Sequence, residues 1–288
     1  MEKKPELSII ISTYNAVDWL KKTLWGYAFQ TFKDFEIIIA DDGSDTQTKA
    51  AIEAFSTVFE RPIVHVWHED IGFRKTIILN KAVEASSADY ILMSDGDCIP
   101  KADFVEVHLK YREQGYFLSG GYFKLPMHIS QAITKDDIEQ QHCFDLNWLK
   151  AQGLKASIKN KKLSARGLEA RLLNAVTPTK PTWNGHNSSG WKEEILAVNG
   201  FDERMQYGGE DRELGERLFN KGIKSKQIRY SAVCVHLDHA RGYVKEEMLI
   251  KNAEIRKETK AQQKHLRKVM DTETKQAQED LKNNLQSE

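Results

Sequence analysis

Residues 90–100 read Tyr-Ile-Leu-Met-Ser-Asp-Gly-Asp-Cys-Ile-Pro. A short, mostly apolar run, the pattern of a buried strand, ends on two carboxylates one residue apart, Asp95 and Asp97. Side by side, two such acids repel and one is driven toward its neutral form. A divalent cation removes that conflict, because carboxylate oxygens are ligands for hard metals. A plain surface turn is the competing reading, since Asp-Gly is a common turn dipeptide.

The residues upstream decide between them. Leu7–Ser12, Phe35–Ala40 and Pro62–Trp67 are three more apolar runs. Between the runs, Asp18–Phe29, Thr46–Val58 and Arg74–Ser86 carry helical spacing. Short apolar strands alternating with helices predict βαβ units and a parallel sheet covered on both faces. Ligands of such sheets bind beyond the carboxyl ends of the strands. Thr13-Tyr14-Asn15, Asp41-Asp42-Gly43-Ser44 and Asp95-Gly96-Asp97 each follow a strand directly, so the three clusters are expected on one rim.

Downstream, the rhythm breaks after Phe123. Residues 126–182 show no strand pattern and hold a basic run, with Lys159, Lys161, Lys162 and Arg166. Two readings stay open for that run: a solvated helix or loop, and contact with an anionic acceptor or membrane surface. Residues 183–222 carry glycine turns, a short helix around Lys192–Val198 and a helix from Glu210 to Asn220 closed by Gly222. Ser231–Leu237 reads as a further strand. From Val244 the chain is charged with sparse apolar residues, including Leu266, Val269 and Met270, and reads as a long, largely solvated helix that packs back at its start. Its apolar positions are too sparse for a heptad seam. The expected organisation is a nucleotide-binding half (1–125), an insertion (126–182), a catalytic half (183–243) and a charged C-terminal helix (244–288).

The 288 residues carry 42 Lys+Arg and 42 Asp+Glu. This balance is unlike the basic footprint of a nucleic-acid-binding protein. The three cysteines, Cys98, Cys143 and Cys234, are far apart and form neither a disulfide framework nor a zinc spacing. No secretory signal or membrane span is legible, so a soluble protein of a reducing cytoplasm is expected. Glycine-rich phosphate cradles are absent, which argues against NTPases and dinucleotide-dependent dehydrogenases.

Asp41 and Asp42 suit either a helix cap or acceptance of hydrogen bonds from a base N–H or ribose hydroxyls. Glu210 and Asp211 open a helix, where acids favour the dipole, or where one acts as a general base held on a rigid element. His236 and His239 close a strand, where imidazole could join a metal site.

With these motifs in order, the chain resembles the inverting nucleotide-sugar glycosyltransferases of family 2, which have the GT-A fold. LSIIISTYNAVDWLKKTL looks like their opening strand and helix, IIIADDGSDT their nucleotide loop, GFRKTIILNKAV their third helix, and SDGDCIP their DXD motif. Residues 183–222, with GFDERM and GGED, resemble the C-terminal segment shared with β-1,4-galactosyltransferases. The resemblance covers about 1–125 and 183–240.

The resemblance implies an α/β fold whose Rossmann-like, mostly parallel sheet is flanked by helices, and which binds a UDP-sugar donor with Mn²⁺ or Mg²⁺. It places Thr13 and Tyr14 near the nucleotide, Asp41 at the base, Arg74 along the cleft, and Asp95 and Asp97 at the ribose and metal. His236 becomes a third metal contact, Asp211 the catalytic base with Glu210 beside it, and Trp183 and Asn184 neighbours of the donor sugar or acceptor. A glycan or lipid-linked glycan would accept the sugar, consistent with a peripheral place on the inner membrane face. The chain departs from the pattern at Arg212, where an acid that helps hold the acceptor often stands. Two other readings compete: a sugar nucleotidyltransferase and a non-catalytic sugar-nucleotide-binding protein.

Overall fold

The computed structural model describes residues 3–240, 244–263 and 265. The first half alternates as expected: β1 (Leu7–Thr13), α1 (Val17–Ala28), β2 (Phe35–Asp41), α2 (Thr46–Glu53), β3 (Val64–Trp67), α3 (Lys75–Ala85) and β4 (Tyr90–Asp95). β3, β2, β1 and β4 pair in parallel in that order.

β1, β2 and β4 are mostly apolar because both of their faces are covered; β3, at the sheet edge, is partly exposed. Leu7, Ile9 and Ile11 of β1, Ile37 and Ile39 of β2, and Leu92 of β4 point to one face, against Leu20, Leu24 and Tyr27 of α1. Ile10, Ile38, Ile91 and Met93 point to the other, against Ile78, Ala82 and Val83 of α3. The period of two sends successive side chains to opposite faces, so a strand with two covered faces loses its polar alternation.

The second half departs from a simple repeat. It runs β5 (Cys98–Pro100), α4 (Phe104–Tyr111), β6 (Tyr116–Ser119), β7 (Gly121–Lys124), α5 (Met127–Ala132), α6 (Lys135–Glu139), α7 (Leu146–Ala151), α8 (Lys161–Ser164) and α9 (Gly167–Val176). Then follow β8 (Ser188–Trp191), α10 (Lys192–Ala197), α11 (Glu210–Asn220), β9 (Lys224–Gln227), β10 (Val233–His236) and α12 (Glu246–Ala261). β8 lies antiparallel between β4 and β6, and β9 closes the edge, giving seven strands. β5, β10 and β7 form a second sheet of three strands.

The sequence reading found β10, as Ser231–Leu237, but missed β5 to β9 and with them the second sheet. These strands are three or four residues long and partly polar, such as Ser188-Ser189-Gly190-Trp191, and only their partners define them. Residues 126–182 are short helices. The first of them share a core with the second sheet: Ile129, Ile133, Ile138 and Leu149 pack with Val233, Val235 and Leu237.

α12 packs back along its whole described length rather than only at its start. Met248, Asn252, Ile255 and Thr259 are buried, and Thr259 Oγ1 donates to Glu213 of α11 at 2.9 Å. Leu266, Val269 and Met270 lie outside the described residues.

Candidate active site

The carboxyl ends of β1, β2 and β4 open onto a cleft of about 1570 Å³. Its walls bring together Thr13, Tyr14, Asp42, Lys75, Asp95, Asp97, His186, Glu210, Asp211, His236 and His239. The three polar clusters therefore meet on one rim, joined by residues more than a hundred positions away.

The two acids that open the argument have different partners. Asp95 Oδ1 accepts from Ser12 Oγ at 2.8 Å and pairs with Lys75 Nζ at 2.7 Å. Burial alone would raise this carboxyl, but Lys75 and His186 outweigh it and hold it well below its ordinary value. Lys75 answers in kind. Burial would lower it, and Asp95, Asp211 and Glu210 keep it well above. Asp95 is thus paired with a lysine.

Asp97 faces the histidines. His239 Nε2 is 3.0 Å from Asp97 Oδ2, and His236 Nε2 is 3.6 Å away. Each ring gives its Nδ1–H to a backbone carbonyl, Leu237 O at 2.7 Å and Ala240 O at 2.8 Å. Both Nε2 atoms therefore converge on a carboxylate that has only lone pairs to offer, a set of donors that could hold a cation. Donation of the second nitrogen to a carbonyl is also how ligating histidines are held.

Asp97, His236 and Cys98 offer ligand atoms within 4.8 Å of one another among the described residues. Burial pushes the Cys98 thiol well up, and its Sγ donates to Asp97 Oδ1 at 3.4 Å, so it stays a thiol. The remaining carboxylate and imidazole set fits a first-row divalent cation such as Mn²⁺.

Asp211 stands at the start of α11. Gly208 and Gly209, at φ +107° and +88°, turn the chain into the helix through the left-handed region, which glycine enters without strain. Glu210 is buried and its Oε2 accepts from Gly208 N–H at 2.8 Å. Asp211 Oδ1 is sealed from solvent and has no hydrogen-bond partner. A Cβ on Gly185 would come within 3.0 Å of both Asp211 oxygens, so that glycine makes room for the carboxylate. Burial, then the charge of Glu210, pushes Asp211 up to about 7, against the pull of Lys75.

Other expected residues stand elsewhere. Asp41 is fully buried beneath the rim, accepting from Ser44 N–H at 2.8 Å and meeting His65 Nε2 at 2.9 Å; its neighbour Asp42 lines the cleft. The cap of α2 is neither of them but Asp45. Arg74 turns its guanidinium to Glu69 O and supports Asp42 through its backbone N–H at 3.0 Å. Trp183 is fully buried in the core against Phe117 and offers no platform to a sugar. Asn184 bonds Ser188 and Ser119 behind the wall.

Two cleft residues were missed by the sequence reading. Lys75 follows Arg74 in a motif the reading singled out, but nothing in the sequence pairs it with Asp95. His186, set edge-on to Tyr122 at 4.6 Å, is lowered to about 4 by burial and so is neutral at pH 7.

Comparison with known proteins bears on the fold. Residues 8–133 match the model of glycosyl transferase family 2, and residues 178–240 match that described as the N-terminal domain of galactosyltransferase. Validoxylamine A glucosyltransferase of Streptomyces hygroscopicus subsp. jinggangensis is 25% identical over 246 residues, covering 79% of this chain and 54% of that protein. Chondroitin synthase of Escherichia coli is 27% identical over 246 residues, covering 77% and 33%. The chain thus spans about half the length of these relatives or less.

Among solved structures, the Pyrobaculum calidifontis mannosyltransferase in complex with GDP-Man and Mn²⁺ aligns with a TM-score of 0.56 at 16% identity, over 91% of this chain and 63% of that one. S. aureus TarS 1-349 in complex with UDP-GlcNAc aligns at 0.54 and 14%, over 83% and 60%. Motif order, the two family matches and the shared fold point one way: over residues 8–133 the chain matches the family 2 glycosyltransferases, and its fold is GT-A.

Proposed function

We propose that this protein is a metal-dependent, inverting glycosyltransferase. In this reading it moves a hexose or N-acetylhexosamine from a UDP-sugar to a hydroxyl of a glycan or lipid-linked glycan in surface polysaccharide assembly. The observation that carries the reading is Asp211, a carboxylate without a hydrogen-bond partner on Oδ1 and pushed up to about 7, on the wall of the cleft that holds Asp95 and Asp97. A general base works best with a pKa near the working pH. The cleft also exceeds the roughly 300–1,000 Å³ typical of a single small-ligand pocket, which leaves room for donor and acceptor together.

Asp211 takes the proton of the acceptor hydroxyl as it attacks the anomeric carbon from the side opposite the nucleotide. One in-line displacement inverts that centre. Lys75 keeps a positive charge beside Asp95 and Asp211 and so tempers the repulsion among the acids. Asp42, Thr13 and Tyr14 form the part of the wall proposed for the nucleotide. Asp97 and His236, with His239 adjoining, would hold the cation, which when bound supplies electrostatic stabilisation of a departing diphosphate. The polysaccharide setting is supported by the chondroitin synthase relative, a nucleotide-sugar donor by the GDP-Man and UDP-GlcNAc of the two solved structures, and UDP by the second of them. Among the described residues no helix is long and apolar enough to cross a membrane.

Calorimetric titration with UDP, GDP, CDP and dTDP, with Mn²⁺ and again with chelator, tests this. Binding of UDP that needs Mn²⁺ and is lost in Asp97→Ala is expected. Failure of every nucleotide to bind would remove the basis of the reading.

A further inference from the structure

The insertion leaves one surface unexplained by the cleft. In α9, Leu168, Leu172 and Val176 are 80%, 63% and 62% exposed, and Ile158, in the short turn that leads into α8, is 95% exposed. A spacing of four residues places the three helix positions along one stripe. The stripe is not the frayed edge of a loose helix. Ala170 is buried on the opposite side. Asn174 Nδ2 donates to Ser231 Oγ at 2.9 Å, and its Oδ1 accepts from Tyr230 N–H at 2.8 Å. The helix is therefore fixed to the body with its large apolar side chains turned to water, where contiguous apolar surface marks an interaction site.

The charge around the stripe names the partner. Between Lys150 and Lys180, Lys and Arg occur eight times and Glu169 is the only acid, in a chain of zero net charge. That acid is neutralised by Lys161, 2.6 Å away. Lys155, Lys159 and Arg171 are exposed. Apolar side chains flanked by an excess of cations suit the interface of an anionic bilayer, which takes the apolar residues among its acyl chains and the cations at its headgroups.

We propose that α9, with the turn that leads into α8, forms a membrane-docking face for bilayers rich in anionic lipid. The face adjoins the cleft. Lys162 donates to Tyr122 O at 3.2 Å and lies over the Tyr122 ring, and Tyr122 lines the cleft. A lipid-linked acceptor held in the bilayer would reach the cleft from that side. The docking itself does not depend on the glycosyl-transfer reading.

Co-sedimentation of the full chain with vesicles of phosphatidylglycerol and phosphatidylcholine, or of phosphatidylcholine alone, tests the proposal. The protein should bind the anionic vesicles and release them as salt rises, because headgroup attraction is screened. The triple variant Leu168→Ser, Leu172→Ser, Val176→Ser should lower partitioning by at least about tenfold. A second variant, Lys155→Glu, Lys159→Glu, Arg171→Glu, changes only exposed side chains and should do the same while circular dichroism stays native. Equal binding to both vesicle types, or wild-type binding by the charge-reversed variant, would overturn the proposal. So would a dimer in solution that the serine variant dissolves while no vesicle is bound, since the stripe would then be a self-association surface.

Discussion

Asp211 and Glu213 stand two residues apart in the first turn of the same helix, and they lead opposite lives. Glu213 is fully buried and held by the Nε and Nη2 of Arg217 at 2.7–3.0 Å. Thr259 of α12 adds a further hydrogen bond. Asp211 has a sealed oxygen with no partner and a pKa raised to about 7. The side-chain chemistry is the same and the helix is the same. The difference is that one points at a guanidinium in the core and the other at a cleft lined with acids. Burial with a full set of partners makes a carboxylate structural, whereas burial without them leaves it ready to take a proton.

The strongest way to break this contrast is Asp211→Asn. Transfer should fall by about 10²–10⁴-fold, the usual contribution of a general base, with donor affinity unchanged by calorimetry. In the wild type, kcat/KM should rise with pH through about 7, as Asp211 ionises. Near wild-type transfer by the variant would end Asp211's assignment as base.

Arg217→Leu should act on stability instead. It leaves Glu213 buried without its counter-ion, which costs about 3–5 kcal/mol in denaturant unfolding. Adding Glu213→Leu should restore much of that loss. An Arg217→Leu protein as stable as wild type would show that the pair is not structural.

The third prediction has a definite sign. The folded pKa of Asp211, about 7, lies above the 3.8 of an ordinary aspartate, so the folded state holds this proton more tightly. Its contribution to stability is complete below pH 3.8 and is lost as pH rises through about 7. Wild type should therefore lose about 1–2 kcal/mol relative to Asp211→Asn across that window, less than the full shift implies because the residue opens onto the cleft. Melting curves of the two proteins that stay parallel from pH 4 to pH 8 would contradict it.

The smallest effect concerns the brace behind the turn. Asn252 of α12 donates to Gln206 O and Gly208 O at 2.9 and 3.0 Å and accepts from Gln206 N–H at 3.2 Å. It is fully buried. Asn252→Ala should cost about 1–3 kcal/mol by stranding those backbone groups. It should also lower kcat more than it changes donor KM, because the turn that presents Asp211 loosens. An equal effect on kcat and KM would assign it to stability alone.

Much of the parallel half was legible in the sequence. The runs Leu7–Ser12, Phe35–Ala40 and Tyr90–Ser94 became β1, β2 and β4 with boundaries shifted by a single residue, since a strand buried on both faces is apolar at most positions. Glu210–Asn220 was equally clear, because a left-handed glycine opens it and Gly222 follows it. The polar clusters after the strands could be read as one rim for the same reason: parallel strands end on the same side.

What the sequence could not settle was which side chain faces where. Trp183 and Asp41 looked exposed to ligand, yet both are buried. Lys75 and His186 carried no signal, yet both line the cleft. A motif specifies the path of the backbone near a site. Whether a given tryptophan stacks on a sugar or on Phe117, and whether an aspartate keeps its charge, depends on residues a hundred positions away that only the packed sheets bring into contact.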